Sequence, residues 1–82
     1  MPIPLYGFLH GDTVGLLIFA EPEDSMLTLA RKLVKAARPR VTVAAESELS
    51  VLWQGASTEP VRTVASLGPR PLDRFDVVVQ KA

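Results

Sequence analysis

The sequence predicts an α+β fold in which a β-hairpin, one helix and further strands build a mixed sheet packed on the helix. Apolar residues recur at the spacing of one helical face: Met26, Leu29, Ala30, Leu33, Val34 and Ala37. The segments on both sides of this helix have the composition of strands, and turn-forming residues divide the part that precedes it. This order of elements is that of a ubiquitin-like β-grasp domain, a class that mostly binds partners and rarely carries an active site.

The N-terminal part predicts the hairpin. Leu5–Leu9 is a short strand candidate, and His10-Gly11-Asp12-Thr13 supplies the turn chemistry that leads into a second strand, Val14–Ala20. Pro22 then ends this second strand.

The helix has recognisable start and stop signals. Asp24 or Ser25 can accept hydrogen bonds from the free amides of its first turn, and Pro39 stops it. Acidic residues lie at its start, and basic residues, which complement the helix dipole, fill its later turns: Arg31, Lys32, Lys35 and Arg38.

The second half of the chain predicts two firm strands and a short helical turn. Periodicity does not decide whether Val41–Ala45 is a strand or an extended connection. The firmer elements are a strand at Leu49–Gln54 closed by Gly55, a helical turn at Val64–Leu67 ahead of Gly68, and a last strand at Phe75–Gln80.

Length and composition predict one domain that spans residues 1–82. Nine Lys and Arg balance nine Asp and Glu, so there is no electrostatic reason for binding nucleic acid or an anionic membrane. Cysteine is absent, which excludes disulfides and thiolate chemistry and favours the cytoplasm. No targeting signal is expected at the N-terminus, and the longest apolar run, Val14–Ala20, is too short to span a bilayer.

Several short stretches resemble one known family over nearly the whole chain, in order and in spacing. They are Asp24-Ser25-Met26, Ala30, Lys32, Arg40-Val41, Thr63, Ala65, Gly68, Pro71 and Asp76-Val77-Val78. The family is system protein B, the small ubiquitin-like subunit of bacterial toluene monooxygenases and related multicomponent diiron hydroxylases. The resemblance implies a role in aromatic hydrocarbon catabolism.

Alternation along the strands assigns side chains to two faces of the sheet. The face toward the helix is expected to carry Leu5, Gly7, Leu9, Leu17, Phe19, Val51, Trp53, Phe75, Val77 and Val79. The opposite, outer face is then expected to carry Tyr6, Phe8, Leu16, Ile18, Leu52 and Val78. A sheet covered on one side normally alternates apolar with polar residues, so an apolar outer face predicts a partner-binding surface. The alternative is that the assumed register is shifted by one residue at some strand, or that loops cover part of this face.

The residue types that perform catalysis or bind metals have structural explanations here. His10 lies in a turn, and Asp12, Asp73 and Asp76 are scattered without the spacing of a metal site or a carboxylate pair. Ser25 has no histidine nearby and is explained as a helix cap. We therefore expect no catalytic, cofactor-binding or metal-binding residues in this chain.

Two functional hypotheses follow. The resemblance implies a non-catalytic subunit that binds and supports the large hydroxylase subunit, in which the iron ligands lie. The alternative is a stand-alone ubiquitin-like interaction module or regulator, with self-association through the same surface as one form of it. The chain ends Val79-Gln80-Lys81-Ala82, without the terminal glycine pair that conjugation and sulfur transfer require.

Overall fold

In a computed structural model of the chain, residues 2–11, 15–37 and 48–80 are described. The elements are β1 (Ile3–Leu9), β2 (Gly15–Ala20), α1 (Met26–Ala37), β3 (Glu48–Trp53), β4 (Ala56–Thr58), a 3-10 turn (Ala65–Leu67) and β5 (Arg74–Gln80). The predicted positions 12–14, 38–45 and 81–82, which include Arg38, Pro39 and Arg40, lie outside the described residues.

The strands form one mixed sheet in the order β2-β1-β5-β3-β4. Strands β1 and β5 pair in parallel, whereas β1–β2, β3–β5 and β3–β4 are antiparallel. The helix contacts β1, β2 and β3 from one side. This is the predicted α+β arrangement, with the first hairpin and the last strand joined at the middle of the sheet.

The helix is built as its periodicity predicts. All six apolar positions of the predicted stripe are buried. Ser25 provides the N-cap, since its Oγ accepts the N–H of Thr28 at 3.1 Å. Asp24 caps the preceding turn instead, because its Oδ2 accepts the N–H of Glu21 at 3.0 Å and the Nζ of Lys32 at 2.6 Å.

A later loop covers the start of the helix. The N–H groups of Met26 and Leu27 donate to the carbonyls of Arg62 and Pro60 at 2.8 and 3.0 Å, and the N–H of Val64 donates to the carbonyl of Asp24 at 2.8 Å. Two first-turn amides, which have no partner within the helix, are thereby satisfied, and Val64 becomes fully buried. The loop thus secures the N-terminal end of the helix.

The 3-10 turn and strand β4 follow different signals. The predicted helical turn is present at Ala65–Leu67, and Gly68 ends it in the left-handed conformation with φ 60°. Strand β4 was not predicted, because its three residues are mostly polar and form an edge. It pairs with β3 across a two-residue turn in which Gln54 and Gly55 both have positive φ, of 49° and 87°.

The predicted core faces are confirmed in β1, β3 and β5 and wrong in β2. Ile18 is 6% exposed, whereas Leu17 and Phe19, expected in the core, are 50% and 56% exposed. The reason is the β1–β2 register, in which Ile18 lies opposite the fully buried Leu5 and Leu17 lies opposite Tyr6. Directly opposed residues of an antiparallel pair share a face, so the pairing turns Ile18 inward.

Candidate interaction surface

The side of the sheet away from the helix, called here the outer face, carries the residues that alternate with the core positions. Its members, taken from the strand registers, are Phe19 and Leu17 of β2, Pro4, Tyr6 and Phe8 of β1, Arg74, Asp76 and Val78 of β5, Ser50 and Leu52 of β3, and Ser57 of β4. This surface runs from an apolar side at β2 and β1, through a charged centre at β5, to a mixed side at β3 and β4.

Four of the six predicted partner-binding residues lie on the outer face: Tyr6, Phe8, Leu52 and Val78. The other two, Leu16 and Ile18, do not. Ile18 belongs to the core, and Leu16 lies opposite the inward Gly7 and packs against the core. Strand β2 is apolar at every position after Gly15, so its sequence contains no alternation from which its faces could be identified.

The apolar side of the outer face consists of large, partly exposed side chains on two adjacent strands. Tyr6 is 42% exposed, and its ring stacks on that of Phe8 with centroids 6.0 Å apart and planes at 23°. Leu17 and Phe19 continue the surface on the neighbouring strand, and both are at least half exposed. Contiguous exposed apolar side chains are typical of interaction surfaces, so this side is the candidate contact surface.

An ion pair lies at the centre of the outer face. Arg74 donates from Nε to Asp76 Oδ1 at 2.9 Å and from Nη2 to Asp76 Oδ2 at 3.1 Å, and its guanidinium lies 4.1 Å from the centroid of the Phe8 ring. The hydrogen bonds to Asp76 and the negative charge of that carboxylate raise the pKa of Arg74. The sequence prediction omitted these two residues, although the alternation Arg74, Asp76, Val78 in β5 places them on the same side as Val78.

A shallow groove of about 390 Å³ lies beside the ion pair. Its walls are apolar on both sides, with Phe8 on β1 and Leu52 on β3, and Arg74 and Asp76 line it between them. His10 lies at one end of the groove. The groove therefore offers space for a side chain next to a charged pair.

The described residues contain no group of three His, Asp or Glu side chains that could hold a metal ion. His10 and Asp76 border the same groove, but Asp76 is occupied by Arg74. Asp73 lies before β5, where its Oδ2 accepts the N–H of Arg70 at 2.8 Å. Within the same residues, no helix has the length and apolar character needed to cross a membrane.

The family of the chain follows from its sequence. Residues 2–79 match the model of the toluene-4-monooxygenase system protein B (TmoB) family. The chain belongs to this family. Membership identifies it as a small accessory component of a monooxygenase system. No curated protein sequence matches the chain at a significant level.

Solved structures show the same fold. A chain of a toluene 4-monooxygenase HD complex with the inhibitor 4-bromobenzoate superposes with a TM-score of 0.85 at 22% identity, over 98% of this chain and 100% of that one. Ubiquitin of Caldiarchaeum subterraneum gives 0.77 at 13% identity, and the EccD5 ubiquitin-like domain of Mycobacterium xenopi gives 0.76 at 9%, each over 100% of this chain and 98% of the other. The predicted ubiquitin-like β-grasp fold is confirmed.

Proposed function

We propose that this TmoB-family chain is the non-catalytic small subunit of a multicomponent diiron monooxygenase of the toluene type, and that it binds the large hydroxylase subunit through the outer face. The family match supports the kind of complex. The single observation that supports the choice of the outer face is the group of exposed apolar side chains on β1 and β2. They lie on the side of the sheet away from the buried core.

Covering this surface would contribute part of the free energy of a partner contact. Full burial of one large apolar side chain contributes about 1.5–3 kcal/mol. Tyr6, Leu17 and Phe19 are each about half exposed, so covering all three would contribute roughly 2–4 kcal/mol by the same relation. Together with the stacked Phe8 and the groove, these side chains form the centre of the proposed interface, whose outer parts are polar.

The iron of the proposed complex belongs to the large subunit in this proposal. Diiron sites in helical carboxylate proteins use several Glu and His side chains that converge from facing helices. The described residues of this chain include one helix, and it has no acidic residue and no histidine. In this proposal the chain supplies binding surface, and the large subunit carries out oxygen activation.

The proposal is tested with Leu17→Asp. A carboxylate at this position would have to be buried without a partner in the interface, which we expect to weaken binding to the purified large subunit of the host's diiron hydroxylase at least about 30-fold. Val61→Asp is the matched control, because Val61 is 79% exposed in the loop that hydrogen-bonds the first turn of the helix. Binding is measured by titration calorimetry and by co-purification after co-expression.

The free energy of unfolding of Val61→Asp should lie within about 0.5 kcal/mol of that of the natural chain, since exposed substitutions rarely cost more. Leu17→Asp, at a half-exposed strand position, should remain folded and lose about 1 kcal/mol. Leu17→Asp that binds the large subunit as tightly as Val61→Asp would overturn the assignment of the outer face. A folded Leu17→Asp variant that no longer binds the large subunit would support this assignment.

The stand-alone module is the second candidate, because the exposed apolar side chains of the outer face do not by themselves specify which partner covers them. In this case the outer face would bind a different partner or a second copy of the chain. Sedimentation of the isolated chain and a titration with the large subunit separate the two functions. A stable dimer that Leu17→Asp dissociates, without affinity for the hydroxylase, would favour the second.

A further inference from the structure

The charged centre of the outer face poses a problem for any partner that covers it. Arg74 and Asp76 lie on β5, the middle strand of the sheet, between Phe8 on β1 and Leu52 on β3. A partner that buries the apolar residues of β1 therefore also covers at least part of the ion pair. The side chains are now 60% and 34% exposed, so water still solvates them.

The pair is only partly satisfied within the chain. A guanidinium has five N–H groups, and two of them are donated to Asp76. In the part of the chain that the structure describes, no other acceptor lies within hydrogen-bond distance of Arg74. Three N–H groups consequently depend on water.

Removing this water raises the free energy of the complex unless a partner replaces its hydrogen bonds to Arg74. A buried ion pair contributes to binding only when its remaining hydrogen-bonding groups also find partners. The planar guanidinium is held in place by two hydrogen bonds and by the Phe8 ring, so its free donors have a defined direction. The adjoining groove, with about 390 Å³ of space, gives a partner side chain access to them.

We infer that Arg74 is a specificity-determining residue of the outer face, and that the hydroxylase subunit places a hydrogen-bond-accepting oxygen on its free N–H groups from a side chain seated in the groove between Phe8 and Leu52. This inference rests on the proposed function and extends it. Asp76 acts as a positioning residue, because it orients the guanidinium and its negative charge balances the positive charge of Arg74.

The test compares Arg74→Met, Asp76→Leu and the double variant Arg74→Met/Asp76→Leu for binding to the purified large hydroxylase subunit. Arg74→Met is expected to bind at least about 30-fold more weakly, but this alone is ambiguous, since it also leaves Asp76 without its partner. The double variant removes both charges and decides the question. With an acceptor on the hydroxylase, the double variant stays at least about 10-fold weaker than the natural chain, because that acceptor loses its donor.

A double variant that binds within about threefold of the natural chain, or more tightly, would overturn the inference, because it would show that the pair is merely tolerated in the interface. Arg62→Met is the matched control: Arg62 is exposed and donates to Ser66 near the helix start, and its loss should leave binding unchanged. Thermal unfolding of each variant verifies that it is folded.

The outcomes separate this inference from the proposed function. If Leu17→Asp abolishes binding while the double variant binds normally, the outer face docks the hydroxylase and the role of Arg74 is refuted. If neither affects binding, the outer face itself is refuted. Dimerisation of the isolated chain that depends on Arg74, with no effect of Arg74 on hydroxylase binding, would also refute the inference and assign the acceptor to a second copy.

Discussion

Gly7 lies on β1 where the strand faces the helix, and replacing it with alanine tests the packing of the whole core. A Cβ at this position would lie 2.7 Å from Cζ of Phe75 and 2.9 Å from Cδ1 of Leu33. Carbon atoms in good contact are about 3.5–4.0 Å apart, so the added methyl needs roughly 1 Å of movement. Phe75 and Leu33 are both fully buried, and neither can turn into solvent.

The expected cost of Gly7→Ala is the difference between two effects. Overpacking of a core by one methyl costs about 1–3 kcal/mol. Alanine in a strand recovers roughly 0.5–1 kcal/mol relative to glycine, through the lower entropy of the unfolded chain. The difference spans about 0–2.5 kcal/mol, and the two fully buried neighbours place Gly7→Ala in its upper part. The free energy of unfolding should therefore fall by about 1–2.5 kcal/mol, which corresponds to a urea midpoint lower by about 1–2.5 M at a slope near 1 kcal/mol/M.

Gly15→Ala is the matched control, because its Cβ would also meet a phenylalanine ring, 2.6 Å from Cζ of Phe8. Phe8 lies on the outer face and is only half-buried, so its ring can move toward solvent. This movement weakens its contacts with Tyr6 and Arg74 but does not overpack the core. Urea unfolding followed by the fluorescence of Trp53, the single tryptophan, compares the two variants. The reasoning would be refuted if Gly15→Ala were as destabilising as Gly7→Ala, or if Gly7→Ala unfolded at the urea concentration of the natural chain.

Three further predictions concern the helix start and strand β2. Partial burial raises the pKa of Asp24, but hydrogen bonds from Lys32 and from a backbone N–H, with the charge of Lys32, outweigh it and leave the pKa below its ordinary value of 3.8. The resulting stability is present above that value and is lost as pH falls through the lower pKa of the folded state, so Asp24→Asn should show a shallower loss in acid titrations of stability. Ser25→Ala removes the N-cap and should lower the free energy of unfolding by about 1 kcal/mol in urea denaturation. Ile18→Ala should cost about 2–4 kcal/mol, whereas Leu17→Ala should cost under about 1 kcal/mol, by the same measurement.

Each of these predictions has an outcome that contradicts it. Identical acid titrations of the natural chain and Asp24→Asn would show that the carboxylate contributes nothing to the pH dependence. Ser25→Ala with unchanged stability would mean that the loop at 60–64 alone holds the helix start. Equal effects of the Ile18 and Leu17 variants would contradict the β1–β2 register.

The helix could be predicted residue by residue because its sequence contains contrast. Buried apolar positions such as Leu29 and Leu33 are separated by polar ones such as Arg31 and Lys32, so the period of 3.6 residues identifies the inward face. In β1 the inward Gly7 and the outward Tyr6 and Phe8 give no clear contrast between polar and apolar positions. The faces of this strand were therefore assigned from the expected order of the elements.

Strand β2 shows where this reasoning fails. Every residue from Leu16 to Ala20 is apolar, so either face could have been the inner one. The pairing of Ile18 with Leu5 made the choice, and that pairing depends on a register between two strands, which periodicity within one strand does not contain. The error moved Leu16 and Ile18 to the outer face and left Leu17 and Phe19 out of the candidate site.

The sequence by itself determined the order of the elements and the inward stripe of the helix, because periodicity, caps and turn residues depend on residues close together in the chain. It also determined the membership in the TmoB family, through the match over residues 2–79. Only the tertiary structure decided which side of β2 is exposed and that Arg74 lies against Phe8. These features depend on two pairings of β1. One is with β2, the next strand along the chain, and the other is with β5, the last strand. The pairing of two strands has to bury their apolar side chains and pair their backbone N–H and C=O groups at the same time. It therefore depends on residues that are far apart in the sequence, and no short stretch specifies it.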